Sequence, residues 1–296
     1  MRNLFKNIND KQRKMIIGWV FLVPALILIA VFVIIPIIYS FFIVTQNCRG
    51  LVCETDFTAN VTRLFNDMEF RNVLKNTFFF FMIQVPIMLI LALIFAIILN
   101  DPKLKFRGFF RTAIFLPAVT SLVAYSVLFK MMLAPDGIVN NALAIINISP
   151  IGWLTHPTWQ RVTIIIALLW RWTGYNMIFY LAGLQGINKE IFEAAEVDGA
   201  NKFQVFWSII VPLLKPIILF TAVMSTIGTL QLFDEPHNII GGSGTTISTK
   251  TLAQYIYQRG LQTTPNAGYA ALLAYVIMFF AVIFTVIQFR LAREDD

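Results

Sequence analysis

The chain has 296 residues, of which 58% are hydrophobic and 13% are charged, and its formal net charge is +7. A soluble domain carries about half apolar and about a quarter charged residues, so this composition excludes an ordinary soluble protein and indicates a membrane protein. The basic residues lie at the ends of apolar segments and form no stripe interleaved with aromatics. This arrangement favours contact with membrane lipid and argues against nucleic acid as a partner.

Six apolar stretches are each long enough to cross a bilayer, which takes about 20 helical residues. They run Met15 to Val44, Thr77 to Leu99, Phe109 to Leu133, Val162 to Leu184, Ile209 to Phe233 and Tyr269 to Phe289. Most of them contain proline, so we expect kinked spanning helices in a protein that moves. The sequence therefore predicts an all-α integral membrane protein with six transmembrane helices.

The predicted spans divide the chain into five regions. These are a cytoplasmic N-terminal segment 1–14, a first transmembrane helix 15–44 that is retained rather than cleaved as a signal peptide, an outer loop 45–76, a core of five helices 77–289, and a cytoplasmic tail 290–296. Lys and Arg are more frequent in the N-terminus, the second and fourth loops and the C-terminus than in the alternating loops. By the positive-inside rule, both termini and the fourth loop face the cytoplasm.

The two cysteines of the chain, Cys48 and Cys53, lie close together in the first outer loop. On an oxidising face of the membrane they can form a disulfide that closes a small loop. Two free thiols near the membrane surface are the alternative, and the sequence does not decide between them.

The fourth loop, residues 185–208, contains the sequence "INKEIFEAAEVDGANKFQ". Asn188 is a suitable N-cap for a short helix, and Gly199 is placed to end that helix in a left-handed conformation. Asn201 and Gln204 have the spacing of a reciprocal capping box for a second helix. We therefore predict two short helices bent at Gly199. Ala194 and Ala195 would let another protein approach closely, while Glu193 and Asp198 offer acceptors to its donors.

This loop resembles the signature of the permeases of binding-protein-dependent ATP-binding-cassette (ABC) importers. That signature is Glu-Ala-Ala, three residues, Gly, nine residues, Ile, one residue and Leu-Pro. It is matched here by Glu193, Ala194, Ala195, Gly199, Ile209 and Pro212, with Val211 in place of Leu. The resemblance implies the type I importer permease fold, with residues 193–199 seated in a cleft of a cytoplasmic ATPase.

The resemblance extends over roughly residues 57–288 and is to the carbohydrate-uptake branch of the family. It implies a complex of this chain with a second homologous permease, two copies of an ABC ATPase and an extracellular or lipoprotein sugar-binding protein, in a bacterial plasma membrane. An oligosaccharide is then the implied substrate. The chain itself would bind no cofactor, because ATP and Mg²⁺ belong to the partner ATPase, and it would not be an enzyme.

The fourth predicted span carries the residues that suit a sugar. Trp170, Arg171, Trp172 and Tyr175 lie well inside this helix. Aromatic rings pack against the apolar faces of sugar rings, and an arginine inside a membrane helix is a functional candidate by default. Its nearest candidate partners along the sequence are Asp234 and Glu235.

Alignment with the maltose-type permease implies that Trp170, Tyr175 and, on the next helix, Ser225 occupy sugar-contacting positions. Gly228, Thr229 and Leu232 depart from that pattern, and Gln231 is a candidate replacement. We therefore expect Trp170, Arg171, Tyr175, Ser225 and Gln231 to line the substrate path.

Other readings remain open at this point. The same architecture could carry another solute, such as an amino acid, phosphate or polyamine, although the aromatic fourth span argues against it. A membrane enzyme or scaffold could also use the acidic loop, but the loop offers neither His nor Cys to hold a metal. No metal site is expected, because His156 and His237 lie in different loops without a cluster of ligands.

Overall fold

The computed structural model describes residues 10–49, 52–241, 247–262 and 265–293. Within these residues the chain is almost entirely helical, with a single two-stranded hairpin. The predicted cytoplasmic segment 1–14 and tail 290–296 fall partly outside the described residues. By backbone contacts the chain divides into two units, Met1–Phe65 with Arg259–Leu272, and Asn66–Gln258 with Leu273–Asp296.

The helices and strands of the described residues are labelled in chain order. They are α1 Asp10–Val44, β1 Gln46–Arg49, β2 Val52–Thr55, α2 Phe57–Asn66, α3 Met68–Asn100, α4 Arg107–Val119, α5 Leu122–Met132, α6 Ile138–Ile145, α7 Pro157–Gln185, α8 Lys189–Val197, α9 Lys202–Leu230, α10 Leu252–Tyr257 and α11 Ala267–Arg293. Five of these helices, α1, α3, α7, α9 and α11, are long and apolar enough to cross a membrane. Counted as one broken span, the bent pair α4 and α5 brings the number to six, and five or six apolar spans agree with the predicted fold class.

Two of the prolines lie directly after a wider helical turn. Ala30–Ile34 precedes Pro36 in α1, and Phe206–Ile210 precedes Pro212 in α9; both segments are π-helical. Proline has no N–H to donate and its ring collides with the carbonyl four residues earlier, so a locally wider helix accommodates it. Irregular turns therefore accompany prolines in these two predicted spans.

The third predicted span is not continuous. Helices α4 and α5 are bent by 102° at Thr120, which has an extended backbone, and Ser121, which is also non-helical. The Thr120 hydroxyl donates to the carbonyl of Pro117 at 2.7 Å, and a side chain that bonds to the backbone in this way competes with helix propagation. The apolar run Phe109 to Leu133 therefore forms two helices with different directions.

The first unit contains α1, the hairpin and α2. The spanning part of α1 presents no buried side chain before Val44, so its apolar surface is available to lipid or to another subunit. In the hairpin, the backbones of Cys48 and Cys53 lie opposite one another. This register brings the two positions together, and their pairing as a disulfide stays a prediction. Asn60 of α2 is buried and donates to the carbonyls of Val44 and Gln46.

The core of the second unit lies where α3, α7 and α9 meet. Small residues of α3 let the helices approach closely, and long side chains of α7 and α9 fill the space between them. The cluster consists of Ala92, Ala96, Leu99, Met177, Tyr180, Leu181, Leu184, Ile210 and Leu214. Phe192 of α8 packs against the same cluster, so the fourth loop is attached directly to this core.

Candidate functional site

A cavity of about 410 Å³ opens in the second unit beside this core. Residues from α3, α7 and α9 and from the segment that follows α9 line it. The lining comprises Gln84, Met88, Leu168, Arg171, Trp172, Tyr175, Asn176, Met224, Ser225, Gly228, Thr229, Gln231, Leu232, Phe233, Asp234 and Glu235. Its volume falls in the range of small-molecule sites, and its combination of aromatic and polar groups is typical of them.

Two aromatic rings of α7 form one wall of the cavity. The rings of Trp172 and Tyr175 lie 5.7 Å apart, centroid to centroid, and are perpendicular. Tyr175 is 40% exposed, so part of its ring is open to a ligand. A sugar ring could therefore place its C–H face on this wall.

The single cation of the described lining, Arg171, is paired with an acidic residue from another part of the chain. Its Nη1 atom lies 3.8 Å from Oε1 of Glu235, and the indole N–H of Trp172 donates to the same oxygen at 3.4 Å. The guanidinium also lies over the ring of Tyr125, with its carbon 4.9 Å from the ring centroid. Arg171 is thus held in place by a charge and by two aromatic rings.

Glu235 follows the spanning part of α9, which ends at Leu230. Burial raises the pKa of its carboxyl, whereas the guanidinium of Arg171 and the indole N–H of Trp172 favour the carboxylate and oppose this rise. The ion pair therefore offsets part of the free-energy cost of removing this carboxylate from water.

Three buried polar side chains from three helices meet at the inner wall of the cavity. The hydroxyl of Thr229 donates to Oε1 of Gln84 at 2.8 Å, and the amide of Gln84 donates to the sulfur of Met88 at 3.1 Å. The amide of Asn176 donates to the carbonyl of Trp172 at 3.0 Å. The bond of Thr229 joins α9 to α3, and the Asn176 amide also donates to the Met88 sulfur at 3.6 Å, which joins α7 to α3.

The structure brings four of the five predicted path residues together in this lining: Arg171, Tyr175, Ser225 and Gln231. Trp170 lies outside the lining. Its ring packs against those of Tyr125 and Phe129 of α5, at centroid distances of 6.1 and 5.6 Å.

Helical geometry explains this placement, because residues 171, 172, 175 and 176 share one face of α7, whereas residue 170 points away from it. Sequence reasoning named Trp172 among the residues that suit a sugar but did not place it in the substrate path, and it missed Asn176 and Gln84. Trp172 lies three residues before Tyr175, and Asn176 lies four residues after Trp172. This helical spacing was a usable signal that both residues share a face with the predicted path residues. Gln84 also carried a signal, since it is the single polar side chain in the apolar run 78–99 of the second predicted span.

The fourth loop has the predicted local structure. Asn188 caps α8 by accepting from the backbone N–H of Glu190 at 3.2 Å. Gly199 has a left-handed backbone with φ of +73°, and Asn201 and Gln204 form the reciprocal capping box at the start of α9. Gly199 ends the short helix α8 as predicted, whereas the predicted second short helix is the first turn of the long helix α9.

The exposed surface of this loop combines acidic and apolar side chains. Glu193, Ala194 and Asp198 are exposed, whereas Ala195 is buried, so Ala194 is the alanine open to an approaching chain. Val197 and Phe203 are 87% and 72% exposed. Large apolar side chains in this position, beside carboxylates, are typical of a surface that another protein covers.

The sequence matches the family described as "Binding-protein-dependent transport system inner membrane component" over residues 70–294. The chain belongs to this family. Its members are membrane subunits of transport systems, so the chain is a transport subunit and a multi-pass membrane protein, as predicted, and the reading as a membrane enzyme is excluded.

Similar proteins include several sugar transport permeases. The lactose transport system permease protein LacF of Rhizobium radiobacter is 51% identical over 94% of both chains. The trehalose/maltose transport system permease protein MalF of Thermococcus litoralis is 31% identical over 96% of both chains. The arabinooligosaccharides transport system permease protein AraP of Bacillus subtilis is 31% identical over 93% of this chain and 88% of that protein.

A solved structure has the same fold. It is a chain of the bacterial alginate ABC transporter in complex with an alginate pentasaccharide-bound periplasmic protein, with a TM-score of 0.84 and 27% identity over 96% of both chains. The predicted permease fold is therefore confirmed, while the orientation of the termini stays a prediction.

Proposed function

We propose that this permease forms, with a second homologous permease, the membrane path for an oligosaccharide in an ABC importer. The main support is the cavity beside α7, which has an aromatic wall of Trp172 and Tyr175 facing polar groups that include Ser225 and Gln231. Sugars need both surfaces, because their C–H faces are apolar and their hydroxyls require hydrogen-bond partners. The sugar permeases among the similar proteins point to the same class of substrate.

The fourth loop is proposed as the contact with the ATPase. It presents Glu193 and Asp198 to basic groups and Val197 to an apolar pocket of the partner, and Phe192 connects the loop to the core of the second unit. A force on the loop would therefore reach the helices that line the cavity. ATP and Mg²⁺ would be bound by two copies of the partner ATPase and not by this chain.

The transport cycle then follows from two states of the permease pair. ATP on the cytoplasmic side and the sugar-loaded binding protein on the outer side would each bind the outward-open state preferentially. Each ligand shifts the population only by its difference in affinity for the two states. The sugar would pass into the cavity in the outward state and leave it after ATP hydrolysis. Such a system works in a bacterial plasma membrane.

An ABC permease for another solute is the remaining alternative. A phosphate ion or the carboxylate of an amino acid would need a free cation in the lining. The single arginine of the described lining is instead paired with Glu235. This pairing favours a sugar over those solutes.

Uptake by the reconstituted transporter tests the proposal. The chain is co-purified with its sister permease and ATPase, placed in liposomes with the binding protein outside and ATP inside, and supplied with radiolabelled lactose, maltose, glutamine or phosphate. We expect ATP-dependent uptake of a sugar and none of glutamine or phosphate. Tyr175→Ala should reduce sugar uptake at least about tenfold, whereas Tyr39→Ala, an exposed residue of α1, should not. Uptake of glutamine or phosphate alone would contradict the proposal.

A further inference from the structure

Three charged side chains lie in the described lining of the cavity: Arg171, Asp234 and Glu235. Two are carboxylates and one is a guanidinium, so acidic groups are in excess. No lysine or histidine of the described lining offsets them. The described lining that a ligand meets in the cavity therefore has a negative net charge.

Arg171 is not free to receive an anion. Its side chain is 15% exposed and that of Glu235 is 6% exposed, and the two lie 3.8 Å apart. A ligand carboxylate at the guanidinium would either lie beside the Glu235 carboxylate, which is 3.8 Å from Nη1, or take its place. That exchange would leave the Glu235 carboxylate buried and uncompensated, which is strongly unfavourable.

Asp234, at an exposed position, also disfavours an anionic ligand. The described residues place no Lys or Arg within ion-pair distance of its carboxylate, and its own backbone carbonyl accepts from the side chain of Asn238. Like charges in a partly buried site repel one another and disfavour the wrong ligand. An acidic sugar would thus meet repulsion from Asp234 and no available cation.

We propose that the cavity selects uncharged saccharides against uronic acids, with Glu235 as a specificity-determining residue that keeps Arg171 occupied. This inference rests on the proposed function. The fold itself does not impose such a choice, since the similar solved transporter imports the acidic polysaccharide alginate. The charged side chains of the cavity make the selection.

Competition binding to the whole transporter tests this inference. The complex of both permeases and the ATPase is placed in lipid nanodiscs without the binding protein, so that the binding protein's own preference does not enter. Radiolabelled lactose is displaced with unlabelled lactose or with its counterpart in which one primary alcohol is oxidised to a carboxylate. For the wild type, we expect the acid to compete at least about tenfold less well.

Two variants locate the cause of the difference. Glu235→Gln removes the ion-pair partner of Arg171. We expect it to reduce the ratio of the inhibition constants of the acid and of lactose at least about fivefold, while the inhibition constant of lactose itself changes less. Asp234→Asn, at an exposed position, should also reduce the difference in affinity between the acid and lactose. Glu54→Gln, an exposed residue of the hairpin far along the chain from the lining, is the matched control and should leave the ratio unchanged.

The possible outcomes are distinct. Equal competition by the acid and by lactose in the wild type would overturn the inference and leave the proposed function standing. An unchanged ratio in both cavity variants would overturn the role of Glu235 and Asp234. If the assembled wild type bound neither lactose nor maltose, the result would count against the proposed sugar substrate and, with it, against the charge selection.

Discussion

Gly174 of α7 lies so close to Ile114 of α4 that a Cβ atom on residue 174 would be 1.9 Å from the Ile114 carbonyl oxygen. The obstacle is backbone, which cannot move aside as the end of a side chain can. Small residues at helix crossings allow this kind of close approach in membrane proteins. The contact fixes the position of α4 against the helix that carries Arg171, Trp172 and Tyr175.

Gly174→Ala should therefore separate α4 from α7. Overpacking of this kind costs about 1–3 kcal/mol, and we expect a lower melting temperature of the purified complex together with reduced transport. Thermal unfolding followed by size-exclusion chromatography measures this effect. Gly108→Ala in α4 is the matched control, since no atom lies within 4 Å of its Cβ position. Equal melting temperatures for Gly174→Ala and the wild type would show that the crossing of α4 and α7 has room for a methyl group.

Substitutions of Gly199 test the role of the backbone conformation of the fourth loop separately from that of its side-chain contacts. No atom would lie within 4 Å of an added Cβ, so only the left-handed conformation opposes substitution. Gly199→Val should cost roughly 1–2 kcal/mol for this conformation and should weaken coupling. Gly199→Asn should keep more activity, because Asn adopts left-handed backbones more readily. Sugar-stimulated ATP hydrolysis is the measurement, and identical losses for Val and Asn would contradict a purely conformational role.

Tyr180 of α7 and Thr221 of α9 share a buried hydrogen bond of 2.7 Å. Tyr180→Phe removes it while Thr221 keeps its bonds to the carbonyls of Ile217 and Ile218. We expect a modest loss of stability, about 0.5–1.5 kcal/mol, visible as a small drop in melting temperature. Tyr39→Phe, at an exposed position of α1, should have no effect. A drop of the same size in both variants would show that the bond contributes nothing specific.

Asn76 of α3 holds the segment before α10. Its amide donates to the carbonyls of Ile247 and Lys250 at 2.7 and 3.0 Å, and its oxygen accepts from Arg161 of α7. Asn76→Ala should leave buried polar groups unpaired, at a cost of about 1–3 kcal/mol. Amide hydrogen exchange should accelerate in residues 247–257. Asn141→Ala, at an exposed position of α6, serves as the control, and unchanged exchange in the Asn76 variant would refute the anchoring role.

Local features of the fourth loop were predictable because their causes are local. Asn188 caps the nearest N–H groups, Gly199 adopts a conformation that few other residues tolerate, and Asn201 and Gln204 satisfy each other's backbone. None of these depends on a distant part of the chain. The apolar lengths of the spans were predictable for a similar reason, since a bilayer sets the minimum length of any helix that crosses it.

The division of the third span was not predictable in the same way. The apolar run around Pro117 reads as one helix, and hydropathy does not reveal its bend at Thr120. The direction of α5 is settled by packing, since Tyr125 and Phe129 join a cluster with Ala167 of α7 and Ile239. Such a cluster unites residues more than a hundred positions apart.

The sequence by itself determined the class of protein, the positions of the continuous spans and the caps and bend of the fourth loop, because hydrophobic length, capping and backbone preference act over a few residues. Only the tertiary structure decided which face of α7 lines the cavity, that Trp170 points away from it, and that Arg171 is paired with Glu235. These depend on how α3, α7 and α9 pack, and close packing of side chains from distant segments is not encoded in any short stretch of the chain.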